Sequence, residues 1–398
     1  MVDRMKYTSK KERNQVVFGV GHMHISPDMR KLVKNCASWI QFLENEERDV
    51  SKWMNANCCK WRFCPMCAMR KAYKDAMRIS VVMTWIANRY GKDFIFLTLT
   101  VPNVKGDELI DTIGKMGKAW TKLFDRRHIA HISHGFLRKL EITYDHEPKI
   151  TQAMWDGTGH HKGRSRAGYY KRRGLRVGDD NPNYDTYHPH FHAIIAVNKS
   201  YFKSRDYVSH EKWLKLWRES MKDESITQVD VRRVKQREDA AGIATGFDVY
   251  EFAKYASKDA DYAINEEVFS VFYKALKGRQ HQTHSGLFAE GNQRYKEGAL
   301  DAYIAPDLTE YMYDAVYSWH NATQNYKEKG IRKLDPFQDW ELVSRGINIA
   351  GAKAVDIIDD IDGIFGEDES TLGVEPIVNN DEPEIAPAPT MVQLAIDT

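Results

Sequence analysis

One stretch constrains the fold more than any other: Tyr187-His188-Pro189-His190-Phe191-His192-Ala193-Ile194-Ile195-Ala196-Val197. From Phe191 to Val197 it is apolar and partly β-branched, which predicts a buried strand. Side chains alternate along a strand, so His190 and His192 share one face and Phe191 points to the other. His188 joins that face if the strand begins early enough. Two imidazoles on one face can grip a single metal ion. A solitary histidine is more often a core or turn residue, but three at alternate positions leading into a buried strand point to a metal site.

The chain has 398 residues and is 42% hydrophobic, enough for two or three domains with real cores. No apolar run approaches the length of a membrane span, and Met1–Arg13 is too charged for a signal peptide. The expectation is a cytoplasmic protein. The net charge of +2 conceals an asymmetry. Twelve acidic residues and no Lys or Arg follow Lys353, which leaves +14 on residues 1–353. A basic body with an acidic tail suits a nucleic-acid partner. A solvated surface without a partner is the bland alternative.

The five cysteines, Cys36, Cys58, Cys59, Cys64 and Cys67, are clustered, and in a reducing compartment a cluster suggests metal rather than disulfides. Cys64 and Cys67 form a C-x2-C knuckle tight enough for both thiolates to reach one zinc, and Cys59 adds a third ligand. Cys36 is the preferred fourth, with Cys58 as the alternative. Cysteines packed as small hydrophobes are the competing reading.

Along the chain, residues 1–28 are polar and expected to be flexible, and residues 29–90 are read as the cysteine segment and a long helix. Within them Lys31–Glu44 has helical spacing, and a helix is predicted from about Met66 to Tyr90. Phe94–Val101 and Gly135–Tyr144 read as strands, and Asp107–Phe124 as an amphipathic helix. Glu141 sits among apolar residues of its strand, where an unpaired carboxylate is costly, so it is either salt-bridged or a metal ligand. Residues 151–187 lose periodicity and are rich in Gly and cations. They read as a mobile basic loop in which Arg164, Arg166, Lys171, Arg172 and Arg173 would meet phosphates. A helix over Ser209–Met221, a strand over Ile226–Val234 and a helix from Asp248 to about Asn265 follow. The main domain is thus placed at 91–300, a helical extension at 301–350 and a disordered acidic tail at 351–398. The apolar end of that tail, Val392–Ile396, could dock on a partner such as a sliding clamp.

The helix around Tyr255 carries the other chemistry. Glu251, Tyr255, Lys258 and Tyr262 fall at i, i+4, i+7 and i+11, a single stripe. A carboxylate one turn from a tyrosine can take a proton from a hydroxyl or water, and a lysine one turn beyond can hold a phosphate and favour the phenolate. An ordinary surface stripe with a Glu–Lys pair is the alternative. In one chain with a two-histidine metal site, the stripe points to phosphodiester chemistry with Tyr255 as nucleophile.

Four motifs then match a known family in order. Phe96-Leu97-Thr98-Leu99-Thr100-Val101, His188-Pro189-His190-Phe191-His192, Glu251-x3-Tyr255-x2-Lys258 and the segment Cys59–Cys67 resemble the motifs of rolling-circle plasmid replication initiators, members of the HUH endonuclease superfamily in its single-tyrosine branch. The resemblance covers roughly residues 30–300. It implies an α+β fold, with a central antiparallel sheet, helices packed on one face and the catalytic metal on the other. It implies Mg²⁺ or Mn²⁺ held by His190 and His192, with Glu141 or His188 third, beside a structural Zn²⁺. It also implies nicking of one strand of plasmid origin DNA through a 5′-phosphotyrosine, with a host helicase and polymerase as further partners. A zinc-containing DNA-binding regulator without catalysis, a transposase, a relaxase and a small-molecule metallohydrolase are the competing functions. A relaxase would usually place its tyrosine before the histidines.

Overall fold

The computed structural model describes residues 5–159, 165–240, 242–247, 249, 252, 259–280, 282–304, 307, 309–335 and 339. Its strands, in chain order, are β1 (Trp39–Glu44), β2 (Ser51–Ala56), β3 (Lys92–Thr100), β4 (Phe136–Asp145), β5 (Thr186–Asn198), β6 (Val229–Arg233), β7 (Gln236–Glu238), β8 (Ala244–Phe247), β9 (Gln282–His284), β10 (Tyr313–His320) and β11 (Asn325–Lys333). The main helices are α1 (Met5–Gly21), α2 (Pro27–Asn35), α3 (Pro65–Tyr90), α4 (Leu109–Phe124), α5 (Arg127–Ile132), α6 (Gln152–Asp156), α7 (Ala167–Arg172), α8 (His210–Met221), α9 (Asp259–Tyr262), α10 (Glu266–Leu276) and α11 (Leu287–Lys296). Among the described residues no helix is long and apolar enough to cross a membrane.

The histidine strand, β5, is the centre of a sheet ordered β6-β3-β5-β4-β9, antiparallel throughout. One face of this sheet presents Leu97, Leu99, Phe191, Ala193 and Ile195. It packs on Met116 and Trp120 of α4, Ile129 of α5, and Trp213 and Trp217 of α8. The opposite face presents Phe94, Leu137, Ile194 and Ala196 to Val82, Met83 and Ile86 of α3 and to Phe288 of α11. The expectation of helices on one face only is therefore corrected. The run Phe191–Val197 is apolar at every position, so both of its sides need cover. The second cover is partial: beyond Ala196 and Ile194 the same face carries His192, His190, Thr98, Thr100 and Glu141. Gly135 (φ +137°) and Gly286 (φ +51°) let β4 and the segment after β9 pass in close contact. A Cβ on Gly135 would stand 2.4 Å from the Ser285 oxygen, and one on Gly286 2.5 Å from the His134 oxygen.

A second antiparallel sheet, ordered β11-β10-β1-β2, lies beside the cysteines. It overturns two helical expectations. The helix predicted over Lys31–Glu44 ends at Asn35, and Ala37 turns the chain with φ +52° before β1. Leu32, which that helical spacing would bury on one side with Cys36, Ile40 and Leu43, is 54% exposed. Ile40, Phe42 and Leu43 are buried from a strand instead, because β10 and β2 offer partners on both edges. The helical extension expected from residue 301 is a short 3₁₀ turn, Asp301–Tyr303, followed by the β10–β11 hairpin. Alternating Ala315 and Tyr317 point into the core, a period of two that aromatic composition alone does not reveal.

The N-terminal segment, expected to be loosely held, forms α1, with Val17 and Asn14 buried. Its anchors are polar. Asn14 Nδ2 donates to the Val33 carbonyl at 2.9 Å, and Lys11 Nζ donates to the Cys36 carbonyl. Such a helix has no apolar stripe to announce it. The insertion between β4 and β5 was expected to be a mobile basic loop, and its described part is folded. It has its own core of Ile150, Met154 and Tyr170 around α6 and α7. Arg166 and Asn181 converge on the buried Asp145 carboxylate, Asn181 Nδ2 at 2.9 Å. The tail 351–398, including Val392–Ile396, lies outside the described residues.

Candidate active site

Register builds the site. On β5, His190 stands opposite Thr100 of β3 and Glu141 of β4, and His192 opposite Thr98 and Lys139. The ligand atoms of Glu141, His190 and His192 lie within 4.8 Å of one another, so the three could hold one metal ion. Glu141 Oε2 is 2.9 Å from His192 Nε2 and 3.6 Å from His190 Nε2. His190 Nδ1 lies 3.2 Å from the His188 carbonyl, which can only accept, so Nδ1 carries a proton and Nε2 is the nitrogen that faces the carboxylate. His192 Nδ1 meets the Thr98 hydroxyl at 3.0 Å, a partner able to accept the same proton. With Nε2 unprotonated, the two rings and the carboxylate would offer their lone pairs to one point, and the donor set therefore fits a divalent ion. Two histidines and one carboxylate suit Mn²⁺, Mg²⁺, Fe²⁺ or Zn²⁺ without choosing among them.

The electrostatics follow burial and contact. Burial alone would raise the pKa of Glu141, but hydrogen bonds to His190 and His192 outweigh it and hold the carboxyl well below the usual range. Burial lowers His192, and it pushes His188 down to about 3, helped by His190 and Arg166. Of the two candidates for the third position, Glu141 converges with the histidine pair, whereas His188 is outside the group. His188 contributes its carbonyl to His190 and its ring lies 5.3 Å from the His190 ring.

The cysteines form a second cluster. Cys36, Cys59, Cys64 and Cys67 bring their sulfurs within 4.8 Å of one another, with Cys36 the fourth member and Cys58 outside. The amides of Cys59 and Lys60 donate to Cys36 Sγ at 3.3 Å and Cys67 Sγ at 3.2 Å, and Lys60 turns with φ +60° to do so. Hydrogen bonds from its neighbours stabilise a thiolate at Cys36, while burial and that thiolate push Cys64 up. Four buried sulfurs this close can ionise together only with a cation among them. The set fits tetrahedral zinc. Cys58 Sγ instead accepts from Arg70 at 3.5 Å.

Among the basic residues expected to meet phosphates, Lys171, Arg172 and Arg173 are exposed, with Arg173 4.2 Å over the Tyr169 ring. Arg166 is committed to Asp145. Arg164, Glu251, Tyr255 and Lys258 lie outside the described residues. Tyr262, the other tyrosine of the stripe, is buried and donates its hydroxyl to the Phe63 carbonyl at 3.1 Å, beside the cysteine knuckle. Sequence reasoning passed over Thr98 and Lys139. Lys139 carried the signal that singled out Glu141, a charge within an apolar strand, and it is 1% exposed.

Comparison with known proteins shows the family. The family described as "Replication protein" matches residues 50–327, which takes in the cysteine knuckle, the histidine strand and most of the β10–β11 hairpin. "Protein rep" of Staphylococcus aureus is 39% identical over 262 residues, covering 66% of this chain and 96% of that protein. "Protein rep" of Bacillus amyloliquefaciens is 31% identical over 322 residues, 74% of this chain and 83% of that one, and a "Protein rep" of Streptococcus pneumoniae is 28% identical over 310 residues, 75% and 84%. No solved structure matches. The chain belongs to the bacterial plasmid replication-initiator family related to the HUH endonucleases, with a general role in rolling-circle plasmid replication.

Proposed function

We propose that this protein starts plasmid rolling-circle replication by nicking one strand of origin DNA with Tyr255. The carrying observation is the convergence of His190, His192 and Glu141 on one point at the part-exposed end of the sheet face, in a chain of the initiator family. Mg²⁺ or Mn²⁺ bound there would polarise the scissile phosphate and offset the charge that builds on it. His190 and His192 are oriented for that task by the His188 carbonyl and Thr98. The Tyr255 oxygen forms a bond to phosphorus as the P–O3′ bond breaks. The phenolic proton is lost and the departing 3′ oxygen takes one up, leaving a 3′ hydroxyl primer and a 5′ phosphotyrosine. Bond energy is conserved, so the reverse attack rejoins a strand. Lys258 steadies the phosphate, and Glu251 activates a water or second hydroxyl at termination. Lys171, Arg172 and Arg173 hold DNA flanking the nick. Origin DNA, single-stranded at the nick, is the partner, with a host helicase and polymerase, or a sliding clamp, acting downstream in the cytoplasm. The cysteine cluster holds a structural Zn²⁺.

The test is covalent trapping of labelled single-stranded origin oligonucleotides on a denaturing gel, with and without Mn²⁺. A metal-dependent, protein-sized adduct that vanishes in Tyr255→Phe is the expected result. Tight origin binding with no adduct on either strand would favour a non-catalytic regulator.

A further inference from the structure

Lys139 breaks the usual rules for a sheet interior. It lies in the middle of β4, 1% exposed, in register with His192 and two residues from Glu141 on the same face. Burying an ammonium group is costly, and a cation beside a cation-binding pair weakens that pair's hold on an ion. A methionine of similar length would pack there without either penalty. Burial also keeps Lys139 from touching DNA, so its work is internal. Its Nζ donates to the Phe252 carbonyl at 3.1 Å. The Phe252 ring meets Phe96 edge-on at 6.1 Å, and the Phe96 ring lies 5.5 Å from the ring of His192. Phe252 is thus held twice, by its carbonyl and by its ring, each time by a side chain adjacent to His192 on the metal face.

We propose that Lys139 is a positioning residue, tying the chain that enters at Phe252 to the strand that carries Glu141 and thereby aligning nucleophile and metal ligands. The proposal rests on Tyr255 being the nucleophile. A chain extends at most about 3.5 Å per residue, so holding the Phe252 carbonyl confines a residue three places on to about 10 Å of it. A backbone carbonyl is the right handle, since it is present whatever side chain stands at 252 and needs a donor when buried.

The test uses the full-length protein with Lys139→Met and Phe96→Leu. It measures Mn²⁺ binding by calorimetry, binding of a labelled single-stranded origin oligonucleotide by anisotropy, and single-turnover nicking and rejoining at saturating DNA. DNA affinity should stay within about twofold in both variants, and Mn²⁺ affinity should not fall, rising in Lys139→Met because the neighbouring cation is gone. Both rates should fall by the same factor, about 100-fold for a misplacement on the order of 1 Å, with partial recovery in Lys139→Gln, which keeps a donor. A purely structural role would lower thermal stability and all the readouts together. Wild-type rates in folded Lys139→Met overturn the proposal, and so does a loss that saturating Mn²⁺ or DNA restores. Should Lys139→Met fail to fold, Lys139→Gln and Phe96→Leu read the same split. An adduct that persists in Tyr255→Phe removes the nucleophile assignment itself, an outcome separate from any result at Lys139.

Discussion

Replacing Glu141 by glutamine separates two accounts of the buried carboxylate. The substitution keeps shape and volume and removes one charge. In the first account Glu141 exists to complete a metal site. His190 then keeps its proton on Nδ1 for the His188 carbonyl, and its Nε2 lone pair faces Glu141. Without metal, a glutamine amide can still exchange hydrogen bonds with His192, now 2.9 Å from Glu141. The metal-free protein should therefore change stability by no more than about 1 kcal/mol. Mn²⁺ affinity should fall at least about 100-fold, the equivalent of ~3 kcal/mol for one of three protein ligands. In the second account Glu141 is one half of a buried ion pair with protonated histidine. Removing one partner of such a pair costs about 3–5 kcal/mol of folding stability, with or without metal. Urea denaturation of the metal-free protein and calorimetric titration with Mn²⁺ give both numbers. A metal-free Glu141→Gln protein destabilised by several kcal/mol, with Mn²⁺ binding as in wild type, would refute the metal-site reasoning.

Cys64→Ser should lose bound zinc and on the order of 3–5 kcal/mol of stability, a fraction of the ~10–16 kcal/mol that structural zinc sites supply, whereas Cys58→Ser should keep both. Metal analysis and thermal melts of the two variants check this, and equal behaviour would remove Cys58 from its place outside the cluster. Burial pushes His284, beside Arg78, down to about 3, against about 6.5 in an unfolded chain. The unfolded state therefore binds the extra proton between those values. Stability is full above pH 6.5 and falls as pH drops toward 3, by up to about 1.4 kcal/mol per pH unit from this residue. His284→Gln should flatten that slope in urea melts at pH 7 and pH 5, and an unchanged slope would show that His284 accepts its proton in the folded state.

The central strands and the α3, α4 and α8 helices were legible because each carries its own period, and their ends shift by only a few residues. The histidine pair was legible for the same reason, since alternation alone puts His190 and His192 on one face. Glu141 could be suspected from the strand it interrupts. Lys139 carried the same signal and went unread. Elements whose form depends on a distant partner were not legible. Ile40 and Leu43 fit a helical spacing as well as a strand. β10 decides between them from some 275 positions further along, through Tyr317 opposite Ile40. The N-terminal helix escaped notice because its anchors, Lys11 and Asn14, are polar side chains reaching carbonyls at the end of α2.

What the sequence determined by itself was chemistry with a short memory along the chain: which residues can bind metal, which face of a strand they share, and which cysteines are close enough to form a knuckle. Tertiary structure decided which of these meet. It brought Glu141 rather than His188 to the histidine pair, Cys36 rather than Cys58 to the knuckle, and the Lys139 ammonium to Phe252. Each choice is set by strand register and by the turn of the chain between distant elements, and period along a sequence carries no information about either.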